Sequence, residues 1–171
     1  ALRRALLSDP DSLAAEDLST KLYLEGGFLD LALDHNRERL RILRDMGAVS
    51  AADLKGLGDD LKRLEDEIKR REDSYELQAA NKPAVDKAEA ALGQGLAQTA
   101  LNELLKVDWN SLKDDDPNKV RGVRLELSLL VQTGRGDEVG KTLAEQEKTL
   151  KGALGIDPAV GLPAYEWLRV Q

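Results

Sequence analysis

Gly27–Ala32 (GFLDLA), Gly95–Ala100 (GLAQTA) and Gly134–Val139 (GRGDEV) repeat one phrase, a glycine followed five positions later by a small apolar residue. Helix-like sequence flanks each copy. Ala32 and Ala100 are 68 residues apart, twice 34, and Ala100 and Val139 are 39 apart, 34 plus an insertion of five. A period near 34 between helix-like stretches predicts stacked helix–turn–helix units. The extended surfaces of such arrays serve for binding.

Working outward from these turns, the flanking stretches read as helices. Asp11 or Ser12 caps a first helix, and Leu13, Leu18, Leu22 and Tyr23 mark its apolar face. Glu25-Gly26-Gly27 turns, because two glycines inside a helix would cost about 2 kcal/mol against alanine. A second helix runs over 28–46 with the seam Leu29, Leu33, Asn36, Leu40 and Leu43. Ser50-x-x-Asp53 resembles a capping box. An extended helix follows to about Ala80, with the seam Leu54, Leu57, Leu61, Leu64 and Ile68, then Arg71 and Tyr75. Gly56 and Gly58 are places where it could divide. The two heptad seams are expected to pack as an antiparallel hairpin, since the connection is short; a dimer seam is the other reading.

Asn81-Lys82-Pro83 stops the long helix. A small-residue helix with Ala84, Ala88 and Ala91 then pairs with one carrying Leu96, Ala100, Leu101, Leu104, Leu105 and Val107. A polar loop holding Asp114, Asp115 and Asp116 leads to the last pair. Its first helix shows Val120, Val123, Leu127 and Leu130 on one face; its second shows Val139, Leu143, Gln146 and Leu150. Residues 160–171 begin a further helix or a cap. The expected organisation is one helical-repeat domain over 1–171. It holds a first pair at 1–49, an extended helix at 50–82, a second pair at 83–112 and a third at 117–152. The opening ALRRALLSDP has no initiator Met and no long apolar core, so no signal peptide is read. The close on YEWLRVQ looks like a helix cut short, and a piece of a longer chain is the expectation.

Composition bounds the function. At 171 residues the chain can bury a core, but with 4% aromatics Leu, Ala and Val must build it. Charged residues are 33% of the chain and the net charge is −7, which argues against a nucleic-acid binder. There is no cysteine, so disulfides and thiolate metal sites are excluded. No apolar run approaches the length of a membrane span.

No motif gathers the groups an enzyme needs. Gly140-Lys141-Thr142 ends like a phosphate-binding loop, but Arg135 stands where the leading glycine belongs, and Asp137 and Glu138 would repel phosphate. His35 is the single histidine, without a second ligand or a nucleophile, and reads as a surface residue among Asn36, Arg37, Glu38 and Arg39. The three aspartates at 114–116 read as a solvated, helix-capping loop. Neither a cofactor nor a metal is expected.

Val123, Leu127, Leu130, Gly134, Val139 and Leu143 resemble, in type and spacing, a tetratricopeptide repeat. Ala84, Ala88, Ala91, Gly95, Ala100 and Leu104 match the same pattern, and Tyr23, Gly27 and Ala32 match in part, with Asn36 at an apolar position. No pair has the full Trp-Leu-Gly-Tyr pattern, and residues 50–82 lack a glycine-centred turn. The resemblance implies an all-α fold of antiparallel helix pairs stacked as a right-handed superhelix, here with a longer helical hairpin in the N-terminal half. It implies a non-enzymatic scaffold that takes a peptide or protein segment, an acidic one fitting best, in a concave groove lined by first helices. On that groove side it would place Lys119, Arg121, Arg124 and Gln132, with Tyr165 or Trp167 from the next first helix. The alternative is a structural module that self-associates through the heptad seams or by end-on stacking.

Overall fold

The computed structural model describes residues 8–150 except 10, 48 and 148. Among them every regular element is helical. The order is α1 (Leu13–Glu25), α2 (Leu29–Met46), α3 (Ala51–Ala79), α4 (Ala84–Gly93), α5 (Ala97–Leu104), a 3-10 turn (Trp109–Ser111), α6 (Pro117–Gln132) and α7 (Gly136–Glu145). No helix among the described residues is long and apolar enough to cross a membrane.

The three phrase glycines adopt one backbone form. Gly27, Gly95 and Gly134 have φ of 78°, 78° and 77°. In each turn the residue after the glycine donates its N–H to the carbonyl five residues back: Phe28 to Tyr23 (2.8 Å), Leu96 to Ala91 (3.0 Å) and Arg135 to Leu130 (2.9 Å). The glycine N–H itself donates to the carbonyl three back, on Leu24, Leu92 and Val131. This is the Schellman closure of a helix, and its left-handed position suits a residue without Cβ. The first turn adds the usual hydrophobic clasp, Phe28 edge-on to Tyr23 with ring centroids 6.4 Å apart.

The described chain divides into two compact units. One takes the chain to Asn81 together with Ala90–Gln98; the other takes Lys82–Glu89 together with the chain from Thr99.

In the first unit α2 packs on both α1 and α3. It therefore buries two rows, with Leu29, Leu33, Asn36 and Leu40 in one and Ala32 and Ile42 among the other. The long helix α3 is continuous through Gly56 and Gly58. Ser50 caps it, accepting from the Asp53 N–H at 3.1 Å. Its inward row is Leu61, Ile68 and Tyr75, seven apart, with Ala79 beyond. Arg71 interrupts the apolar pattern because α3 there meets a turn: its guanidinium donates to the Gln94 carbonyl at 3.0 Å and pairs with Glu67. The α2–α3 packing agrees with the expected hairpin.

The face expected on α1 is corrected. Leu18 and Leu22 are 47% and 49% exposed, while Ala15, Glu16, Ser19 and Thr20 are buried. Small side chains allow close approach to α2. The Ser19 and Thr20 hydroxyls donate to the carbonyls of Ala15 and Glu16, so burying them leaves neither unpaired.

In the second unit most of each expected row is buried, while Val120 and Ala84, at the row ends, are half-buried. Val123, Leu127 and Leu130 on α6 are buried, as are Val139 and Leu143 on α7 and Gln146 and Leu150 after it. Ala88, Ala100, Leu101 and Leu104 have no exposed surface. Residues 160–171, where a further helix or cap is expected, lie outside the described residues.

Candidate partner-binding face

The expected binding residues sit mainly on α6. Asp116 caps this helix, accepting from the Asn118 N–H at 2.8 Å, and Pro117 occupies the first turn, where its missing N–H costs nothing. The buried arc of α6 is wider than its leucine row and also takes in Lys119, Gly122 and Glu126.

Lys119 is not on an open face. Its side chain is 3% exposed, and its ammonium donates to Asp114 Oδ1 at 2.8 Å and to the Leu112 carbonyl at 3.3 Å. Thr149 donates to the same Asp114 oxygen at 3.1 Å. The assignment of Lys119 to a groove surface is therefore corrected: it clasps the 112–114 loop from beneath. Arg121 is exposed but engaged, paired with Asp86 and, at 2.8 Å, with Glu89, both on α4. Arg124 lies exposed on the outer side of α6 with Ser128 and Val131, one turn apart. Gln132 is half-buried at the end of the helix. Tyr165 and Trp167 lie outside the described residues. Only Arg121 and Arg124 thus present positive charge to solvent from the expected set, and Arg121 is already balanced by two carboxylates.

Lys119 also lines an open pocket of about 470 Å³, together with Asn110, Leu112, Asp114, Ala144 and Glu145 among others. Its wall is mostly polar, and the Lys119 charge in it is offset by Asp114. Gly140-Lys141-Thr142 falls within α7, while Arg135 at its start is paired with Glu138 at 2.5 Å. That stretch is helix and not a phosphate loop.

Two polar centres escaped the sequence reading. Trp109 packs against Gly122, where a Cβ would collide with the indole. Its Nε1–H donates to Glu126 Oε2 at 2.6 Å, and the Thr142 hydroxyl donates to Oε1 at 3.3 Å. Burial pushes the Glu126 carboxyl above the usual glutamate range; these two bonds oppose that, and the charges of Glu138 and Glu145 add to it. A glycine inside a helix four residues before a glutamate, with a tryptophan in the loop before, was the available signal.

His35 is the second. It is not a surface residue: its side chain is 25% exposed, its ring stacks on Tyr23 at 5.2 Å, and Nδ1 lies 2.7 Å from Oε2 of the buried Glu16. Beside it Arg39 pairs with Asp17 at 3.0 Å. These contacts hold α1 to α2, where leucines were expected to do so. Among the described residues no group of three or more His, Cys, Asp or Glu is gathered as a metal would need. Comparison with family models, with curated proteins and with solved structures gives no match to the chain.

Proposed function

We propose that this chain is a non-enzymatic protein-interaction scaffold, a tetratricopeptide-like helical array that holds a peptide or protein segment in a concave groove lined by its first helices. The observation that carries this reading is the recurrence of one left-handed glycine turn, with the same pair of hydrogen bonds, at Gly27, Gly95 and Gly134. Repeated units of one geometry build repeated surfaces, and such surfaces suit extended partners. Arg124, exposed beside Arg121, is the charge that would draw an acidic segment.

Self-association through the heptad seams is less favoured, because Leu61, Ile68 and Tyr75 are buried within the chain itself. End-on association is tested by mass under dilution.

The decisive experiment is capture from a lysate of the native source by the immobilised chain, in parallel with Arg124→Glu. This variant leaves the Arg121 pairs with Asp86 and Glu89 intact, so its helicity and melting are expected to match the parent. A partner kept by the parent and lost by the variant supports the scaffold and locates its face. Equal capture by both removes Arg124 from the site, and recovery of the chain's own copies alone replaces the scaffold with self-assembly.

A further inference from the structure

We draw no further inference here: the strongest candidate, the exposed row of Leu18 and Leu22 on the outer side of α1, carries nothing because nothing in the structure shows what covers it.

Discussion

The Gln98 N–H donates to Asp30 Oδ2 at 2.6 Å, a bond between two residues 68 positions apart. Each stands three residues after its turn glycine, Gly27 or Gly95. Oδ1 of the same carboxylate accepts from the Leu31 N–H at 2.8 Å, and the Leu29 N–H donates to the Gly95 carbonyl at 2.9 Å. Asp30 in the first turn of α2 therefore caps α5, and the Gly95 carbonyl, in the turn before α5, takes an N–H from the start of α2. One carboxylate meets the positive ends of both helices. Burial still holds that carboxyl above the usual aspartate range, against the N–H bonds from Gln98, Leu31 and Ala97.

Asp30→Ala removes the acceptor for both helix starts. A single lost cap costs about 0.5–2 kcal/mol, and two are lost here, so about 1–3 kcal/mol is expected in urea unfolding at neutral pH. Asp30→Asn keeps one carbonyl acceptor and is expected to fall between the alanine variant and the parent. Equal stability of all three proteins would contradict the shared cap.

Gly95 and Gly134 share a backbone form but not surroundings. A Cβ on Gly134 meets open space, whereas one on Gly95 runs into the Gly27 carbonyl. Gly134→Ala is expected to lose about 1–2 kcal/mol from the left-handed backbone alone. Gly95→Ala adds a steric cost of about 1–3 kcal/mol, because backbone must move. Thermal melts of the two variants should rank in that order.

Glu126→Gln keeps an acceptor for the Trp109 indole and removes the buried charge. The folded carboxyl is raised, so the unfolded chain gives up this proton first. The parent therefore loses stability from this group as pH rises from the ordinary glutamate range to the folded value, then levels off. The variant lacks this loss. Its stability relative to the parent is expected to increase with pH across that window, as read from urea unfolding at a series of pH values. A difference independent of pH would show that Glu126 does not titrate differently in the fold.

His35→Ala strips the partner from the buried Glu16 carboxylate. Leaving a buried acceptor without its hydrogen-bond partner costs about 1–3 kcal/mol, and a loss of that size is expected in urea unfolding. Glu16→Gln/His35→Ala should recover part of that loss, because a buried amide is less costly to leave without this partner than a carboxyl group. If the double variant is no more stable than His35→Ala, the Glu16–His35 contact is not what couples α1 to α2.

The helices and their turns were legible because their causes are local. A glycine that must take positive φ, a proline that stops a helix and apolar residues three and four apart act within a turn or two of the chain. The rows Val123–Leu127–Leu130 and Val139–Leu143 became core as their spacing predicts. Where local pattern was weak, tertiary structure decided. On α1 the leucines fall on both flanks of the helix, so packing on α2 could choose Ala15, Glu16, Ser19 and Thr20 instead.

The candidate site divides the same way. Sequence alone determined that Lys119, Arg121 and Arg124 lie on one amphipathic helix. It could not determine which of them is free, because their partners come from other elements: Asp114 from the loop before α6, and Asp86 and Glu89 from α4. The pairs Asp30–Gln98, Glu16–His35 and Trp109–Glu126 likewise span 68, 19 and 17 residues. Helical periodicity fixes which side of a helix a residue occupies; what that side meets is fixed only when the helices pack.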